Sequence, residues 1–334
     1  MRFVIFGAGA IGGVVGAKLH QSGFDVALIA RGAHYRAIRE KGLTLEQPHA
    51  TAAHLRIPVA DAPAGLDWRG NEVVMLATKS QDTAGALTDL RAAASSATPV
   101  VCVQNGVENE RIALRLLPNV YGAVVMAPTA HLEPGIVQAY GTRGVGVIDV
   151  GRYPSGLDAL AEEVADTLSE SGFSSVSRPD IMRFKHAKLL ANLGNAVDAI
   201  CRPGPTGVEV TELAREEGKA ALTAAGIEFV AEEVNDVQAR WRRLDVQPIA
   251  GRPRAGSSTR QSLTRGAPTL ETDYLNGEIS LIGRLHGVPT PVNDALCEFS
   301  DRHLRERRPP QTLPAEEVLA RAGAGHYADG PVRR

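Results

Sequence analysis

Short apolar runs alternate with amphipathic stretches through the first half of the chain. The apolar runs are RFVIFG, DVALIAR, EVVMLATKS, PVVCVQNG, VYGAVVMAP and VGVIDVG. Between them, stretches such as IGGVVGAKLHQSG, HYRAIREKG and DTAGALTDLRAAAS have the character of helices. Strands that are covered by helices on both faces are apolar throughout, so this order predicts an α/β fold with a doubly wound parallel sheet.

The pattern changes after FSSVSRPD, and from Ile181 onward it predicts helices with few strand candidates. We place the domain boundary between residues 177 and 178, which gives a first domain over 1–177 and an all-helical second domain over 178–322. The stretch LDVQPIAGRPRAGSS is rich in Pro, Gly and Arg and predicts a loop between helices of the second domain. Residues 323–334 lack a core pattern, and we expect a mobile tail there.

The charge of the chain is nearly balanced, with 36 basic and 38 acidic residues. No global field would draw it onto nucleic acid or a membrane, so a small-molecule partner is the better expectation. No apolar run approaches the roughly 18 to 20 residues that cross a bilayer, and the run RFVIF is too short for a secretory signal. The scattered Cys102, Cys201 and Cys297 show no metal spacing, which favours buried thiols in a reducing cytoplasm.

The segment RFVIFGAGAIGG contains Gly7, Gly9 and Gly12 in the spacing G-x-G-x-x-G, directly after a strand and before a helix. In a dinucleotide site the first glycine permits a tight turn, the second leaves room for a pyrophosphate, and the third lets the helix pack close to the strand. The N-terminus of the helix then offers N–H groups to the phosphates. A glycine-rich turn without a ligand is the alternative. The residues between the glycines belong to the same predicted site: Ala8, Ala10 and Ile11.

Three polar residues follow neighbouring predicted strands. Arg31 ends DVALIAR, at the position beside the adenosine ribose where NAD-binding proteins usually carry an acidic residue. A guanidinium can hydrogen-bond a 2′-phosphate that a carboxylate would repel, so Arg31 favours NADP(H); an ordinary surface arginine is the alternative. Lys79 and Asn105 also follow strands, and we expect both to meet the cofactor, with the Asn105 amide holding a nicotinamide or substrate group. For Lys79, a solvated turn is the alternative.

A polar stripe interrupts the apolar segment RFKHAKLLANLGNAVDAI. Lys188, Asn192 and Asn195 follow the spacing i, i+4, i+7, which puts them on one face of a helix. Polar groups on an otherwise buried helix need partners or a cleft, so this face is a candidate substrate site. A solvent-exposed face is the alternative.

A second polar segment, SSTRQSLTRGAPTLETDYLNGEI, contains candidate helix caps. Ser257 or Ser258 could cap one short helix, and Thr269 could cap the next. Glu271 falls in the first turn of that next helix, where the helix dipole favours a carboxylate even without a function.

Together these motifs resemble the ketopantoate reductase (2-dehydropantoate 2-reductase) family. The resemblance covers most of the chain, through GAGAIGG with Arg31, TKSQ, QNG, KLLANLGNA and ETDYLNGEI with HGVPTPVN. It implies an N-terminal Rossmann domain that binds NADP(H), a helical C-terminal domain, an active site in the cleft between them, a homodimer and a place in pantothenate biosynthesis.

The resemblance also implies roles for individual residues. Lys188 matches the catalytic lysine, and Glu271 matches the acidic residue of the catalytic and cofactor site. Asn105 matches the cofactor-site asparagine, and Asn192 matches the first substrate asparagine. Ser258 best matches a serine that contacts the substrate carboxylate, with the adjacent Ser257 as the alternative.

Two departures from the family pattern touch substrate-facing segments. The usual second asparagine stands eight residues after the lysine, where this chain has Ala196, and the asparagine comes one residue earlier, at Asn195. The segment from serine to glutamate is one residue longer, with Leu270 as a plausible extra residue. The sequence therefore specifies the substrate less firmly than the cofactor.

The resemblance implies the NADPH-dependent reduction of a 2-oxo acid, ketopantoate, to pantoate. Hydride transfer to a carbonyl carbon leaves charge on its oxygen, and Lys188 suits the role of proton donor, with Glu271 orienting either the ammonium or the cofactor ribose. Asn192, Asn195 and Ser258 can hydrogen-bond the substrate without adding charge.

The scattered histidines give no sign of a metal site. Two alternatives remain at this point. One is an NADP-dependent enzyme of the same fold that acts on another 2-oxo or 3-hydroxy acid, and the other is a non-catalytic NADP(H)-sensing protein.

Overall fold

The computed structural model of the chain describes residues 1–252 and 256–325. The strands are β1 (Arg2–Phe6), β2 (Asp25–Ile29), β3 (Leu43–Glu46), β4 (Ala53–Leu55), β5 (Val59–Ala60), β6 (Glu72–Leu76), β7 (Val100–Cys102), β8 (Val120–Met126), β9 (Thr129–Ala130), β10 (Ile136–Ala139) and β11 (Val147–Arg152). The helices are α1 (Ala10–Gln21), α2 (Gly32–Lys41), α3 (Thr83–Ala93), α4 (Asn109–Leu116), α5 (Ala159–Glu170), α6 (Ile181–Asn192), α7 (Gly194–Ile200), α8 (Pro205–Ala224), α9 (Asp236–Arg242), α10 (Ser258–Thr264), α11 (Asn276–His286), α12 (Pro291–Arg305) and α13 (Ala315–Gly325).

Within the described residues, the main sheet has seven strands in the order β11-β8-β7-β6-β1-β2-β5. All of its strand pairs are parallel except β11, which pairs antiparallel with β8. Alternate residues of β1 enter two different cores, Phe3 and Ile5 on one face and Val4 and Phe6 on the other. Burial of both faces confirms the predicted doubly wound α/β sheet and explains why its strands are apolar throughout.

A second sheet, in the order β4-β3-β10-β9, was not predicted. Its strands are only two to four residues long, and only alternate residues of β3 are buried. Helix α1 packs close to this sheet, because a Cβ on Gly13 would lie 2.6 Å from Val137 Cγ1.

The chain divides into two compact units. The first consists of Met1–Lys185 with the described part of Val230–Arg254, and the second of His186–Phe229 with the described part of Ala255–Arg334. This division differs from the boundary predicted between residues 177 and 178, and the return of the chain to the first unit was not anticipated.

Ion pairs at the edge strand β11 account for this return. The buried carboxylate of Asp149 on β11 pairs with Arg178 at 2.6 Å and with Arg240 on α9. Arg178 also pairs with Asp236 at 2.6 Å. The stretch predicted as a loop of the second domain packs on the first unit as well, since Gln247 N donates to Tyr140 O.

The second unit is helical, as predicted, and is built from α7, α8 and α10–α13 with most of α6. Helix α13 continues to Gly325, so the first three residues of the predicted tail are helical, and residues 326–334 lie outside the described part of the chain. In the part of the chain that the structure describes, every helix is too short or too polar to span a membrane.

Candidate active site

The glycine loop connects β1 to α1, and each glycine meets a different steric demand. Gly7 has a φ of +106°, and a Cβ there would lie 2.8 Å from the backbone of Ala77. A Cβ on Gly12 would lie 2.2 Å from Gly7 O. A Cβ on Gly9, in contrast, would have no atom of a described residue within 4 Å other than those of its chain neighbours. Gly7 and Gly12 are therefore required by the fold, whereas the space beside Gly9 is left open.

The N-terminus of α1 is suited to an anion. Gly9 occupies the N-cap without a side-chain cap, and the first turn, which begins with Ala10 and Ile11, contains no acidic residue. Uncapped N–H groups and the positive end of the helix dipole favour a phosphate at this end. These observations fit a dinucleotide in the predicted position.

His34 on α2 braces this loop, and sequence reasoning missed it because nothing in RGAHYR marks the contact. Its Nδ1 accepts from Gly135 N at 2.8 Å, so its Nε2 carries the proton and donates to Ala8 O at 2.7 Å. Burial lowers the pKa of His34 to about 4, with the neighbouring His131 adding to the effect. The imidazole is therefore neutral at pH 7 and fixes the loop without adding charge.

The polar residues that were predicted to follow strands lie on one edge of the sheet. Strands β7, β6, β1 and β2 are consecutive neighbours, and Asn105, Lys79 and the glycine loop come just after the first three. Arg31 follows β2 as the N-cap of α2. Its guanidinium is largely exposed and donates to Asp82 at 2.8 Å. The first unit thus places the glycine loop, Arg31, Lys79 and Asn105 at the same edge of the main sheet.

Helix α6 carries two of the candidate substrate residues. Asn192 is buried, and Lys188, one turn earlier, is partly buried. Desolvation lowers the pKa of Lys188 from 10.5 to about 8, so near pH 8 the side chain exchanges readily between ammonium and amine.

The segment predicted as one helix is interrupted at Leu193, between α6 and α7. Lys188 and Asn192 both lie on α6, so the predicted spacing puts them on one face of that helix. Asn195 lies on α7, beyond the interruption, so helical spacing does not establish that it shares this face. Asn276 donates to Leu193 O at 3.2 Å and to Asn293 Oδ1 at 2.9 Å. These buried amides hold the interruption in place from distant parts of the sequence.

The two serines of the second polar segment differ in their surroundings. Ser257 is the N-cap of α10, where its Oγ accepts from Arg260 N and donates to Asn195 O. Ser258 forms no side-chain hydrogen bond among the described residues, which leaves its hydroxyl available to a ligand. Because the adjacent Ser257 donates to Asn195 O, Ser258 follows directly on a residue that contacts the segment of Asn195.

Glu271 begins a short 3-10 helix, Glu271–Tyr274, and is buried. The expectation that Thr269 is the N-cap of this helix is wrong, because the N-cap is Leu270. Leu270, the plausible extra residue of this segment, is thus the N-cap of the short helix that begins with Glu271.

A glycine loop after the first strand of a parallel sheet, with an uncapped helix N-terminus, defines a dinucleotide-binding protein. A lysine of lowered pKa on a separate helix adds a candidate acid for oxidoreductase chemistry.

Comparison with known proteins identifies the family. The Ketopantoate reductase PanE/ApbA family matches residues 3–155, and Ketopantoate reductase PanE/ApbA C terminal matches residues 180–303. The chain belongs to the ketopantoate reductase family, which confirms the resemblance in the sequence and the enzyme class, an NADP-dependent oxidoreductase.

Individual relatives agree with this assignment. The 2-dehydropantoate 2-reductase of Pyrococcus horikoshii is 30% identical over 88% of this chain and 94% of its own length. The crystal structure of a PanE/ApbA family ketopantoate reductase from Ralstonia eutropha JMP134 is 30% identical, with a TM-score of 0.74 over 92% of this chain and 100% of that one. D-mandelate dehydrogenase, in a ternary structure with NADH and anilino(oxo)acetate, is 27% identical, with a TM-score of 0.78 over 92% and 99% of the two chains.

Proposed function

We propose that this protein reduces 2-dehydropantoate (ketopantoate), a 2-oxo acid, to pantoate with NADPH. The observation that carries the proposal is Lys188, whose pKa of about 8 lets it give up a proton near neutral pH, one turn before the buried Asn192. Family membership and relatives named 2-dehydropantoate 2-reductase support the choice of substrate.

The glycine loop and the neighbouring strand ends are proposed to hold NADP(H), with Arg31 on the 2′-phosphate. The open space at Gly9 and the uncapped N-terminus of α1 support this assignment. When bound, the cofactor supplies a hydride to the substrate. The residues proposed to contact it are Gly7, Ala8, Gly9, Ala10, Ile11, Gly12, Arg31, Lys79, Asn105 and Glu271.

The second unit is proposed to supply the proton and most of the substrate contacts. Lys188 donates to the carbonyl oxygen as charge grows there, and Glu271 orients the ammonium. Asn192, Asn195 and Ser258 hydrogen-bond the hydroxyl or carboxylate and thereby present one face of the carbonyl. Asn105 of the first unit is proposed to hold the nicotinamide or a substrate group.

A different 2-oxo acid is the second candidate substrate. The asparagine at position 195, one residue earlier than in the family pattern, favours it, because a shifted amide would recognise a differently shaped acid. The likeness to D-mandelate dehydrogenase, bound to an anilino-substituted oxoacetate, suggests acids with an aromatic group.

An NADPH-oxidation assay over a panel of 2-oxo acids tests this proposal. The panel contains ketopantoate, benzoylformate and an unbranched 2-oxo acid, each with NADPH and with NADH. We expect the highest kcat/KM with ketopantoate and NADPH. Turnover of benzoylformate without turnover of ketopantoate would select the second candidate, and NADPH binding without turnover of any 2-oxo acid would favour a sensor.

We also propose a homodimer that works in the cytoplasm, as the family resemblance implies. Leu281 and Leu285, one turn apart on α11, are 48% and 70% exposed, which supports an intersubunit contact of the second unit. Light scattering of the purified chain tests the dimer, and a monomer mass at micromolar concentration would contradict it.

A further inference from the structure

A buried ion pair lies in the first unit and has no part in the proposed chemistry. Lys185 on α6 and Glu110 on α4 have side chains that are only 2% and 0% exposed, with 2.6 Å between Lys185 Nζ and Glu110 Oε1. Removing two charges from water is costly, so a buried ion pair is weak evidence for stability by itself.

The ammonium of Lys185 also holds the backbone just after β7 and in the middle of β8. Nζ donates to Gln104 O at 2.9 Å and to Ala123 O at 3.2 Å. Together with Glu110, these acceptors use all three N–H groups of the ammonium. All three N–H groups of Lys185 are thus used by protein atoms, which excludes it as a second proton donor. Its hydrogen bond to Gln104 O fixes the position of that carbonyl.

The side chain of Gln104 hydrogen-bonds a second loop, which contains Thr78 and Lys79. Its Nε2 donates to Thr78 O at 2.9 Å and to Thr83 Oγ1 at 2.8 Å. Thr78 immediately precedes Lys79, and Gln104 immediately precedes Asn105. The two loops that carry the candidate cofactor residues Lys79 and Asn105 are therefore tied to one another through Gln104.

A parallel set of hydrogen bonds closes the network. Thr83 Oγ1 donates to Asn109 Oδ1 at 2.8 Å, and Asn109 Nδ2 donates to Asn105 O at 2.9 Å. The backbone of residues 104 and 105 is thus held on both sides. A displacement at Gln104 O would be transmitted directly to the Asn105 amide.

We propose that Lys185 and Glu110 form a positioning pair that fixes the loop of Asn105 and, through Gln104, the loop of Lys79. Glu110 orients the side chain of Lys185, and Lys185 fixes Gln104 O. The effect on the cofactor rests on the proposed function, in which Asn105 and Lys79 meet NADP(H). Neither Lys185 nor Glu110 touches the cofactor in this account.

Variants separate positioning from stability. Lys185→Met leaves Glu110 buried without its partner and should lower both the melting temperature and the affinity for NADPH. The double variant Lys185→Met, Glu110→Leu replaces the pair with apolar side chains, a change that is often neutral or stabilising. The double variant still lacks the donor to Gln104 O, so the loop that contains Asn105 is no longer fixed in position.

The experiment measures the melting temperature and, by fluorescence titration, the Kd for NADPH. We expect the double variant to regain most of the melting temperature lost by Lys185→Met while its Kd stays raised by about tenfold, since small misplacements of positioning groups are costly. Arg305→Met, which breaks the exposed pair of Arg305 with Asp301, is the matched control and should change neither value. A double variant that binds NADPH like the wild type would overturn the proposal.

Gln104→Met keeps the test decisive if the double variant does not fold. This change leaves the buried charges in place and removes only the link to Thr78 and Thr83, so the Kd for NADPH should rise about fivefold or more. A wild-type Kd would again contradict positioning. Because binding is measured without turnover, a wild type that binds NADPH but reduces no 2-oxo acid would refute the proposed function alone.

Discussion

Arg31 is the residue on which the choice between NADP(H) and NAD(H) depends. Its guanidinium is 71% exposed and pairs with Asp82, so a 2′-phosphate on Arg31 would compete with that carboxylate. We expect Arg31→Ala to weaken NADPH binding by about 10- to 100-fold, because a charge-assisted hydrogen bond is lost, and to leave NADH binding nearly unchanged. Fluorescence titration with each cofactor measures the two Kd values.

Arg36→Ala is the matched control for that change. Arg36 is exposed on the same helix, so its removal should alter neither Kd. An equal loss of NADPH and NADH binding in Arg31→Ala would remove the argument from the 2′-phosphate.

At the scale of elements, the β1–loop–α1 unit offers a paired test. Gly9→Ala places its Cβ in open space, so we expect a melting temperature like that of the wild type and a Kd for NADPH raised about tenfold or more, because the methyl group would occupy the approach to the pyrophosphate. Gly12→Ala would press its Cβ against Gly7 O, so we expect a loss of about 1–3 kcal/mol in the free energy of unfolding.

Calorimetry and cofactor titration of both variants check this prediction. A Gly9→Ala protein that folds and binds NADPH normally would show that no pyrophosphate approaches this residue. A Gly12→Ala protein of wild-type stability would contradict the steric account of the helix–strand contact.

The elements that sequence reasoning predicted well are those with local signals. Six of the seven strands of the main sheet lie in the predicted apolar runs, and the glycine spacing specifies its turn within six residues. The two-residue strand β5 has no such run and was not predicted. The interruption at Leu193 has no such local signal, since it is held by Asn276, 83 residues away. The short second sheet and the return of α9 to Asp149, 91 residues from Arg240, likewise depend on long-range contacts.

The candidate site divides in the same way. The types and positions of Arg31, Lys188 and Glu271 could be read from the sequence. The brace from His34 to Ala8 O and the pair of Lys185 with Glu110 could not, because each joins residues whose spacing carries no motif.

At the scale of the whole molecule, each unit contributes one half of the proposed reaction. The first carries the glycine loop and Arg31, and the second carries Lys188 and Asn192. A protein that only sensed NADP(H) would need the first set alone. The presence of a desolvated lysine in the second unit therefore favours catalysis over sensing.

Single-turnover reduction of ketopantoate by the enzyme–NADPH complex, followed against pH, tests the role of Lys188 most directly. Lys188 must be protonated to act as the acid and is protonated below its pKa of about 8, so the wild-type rate should be flat below that pH and fall above it. Lys188→Ala should lower the rate by about 100-fold or more, abolish this fall and leave NADPH binding unchanged, whereas Lys219→Ala, which removes an exposed lysine on α8, should behave like the wild type. A Lys188→Ala enzyme that keeps both the rate and its decline above pH 8 would contradict the account.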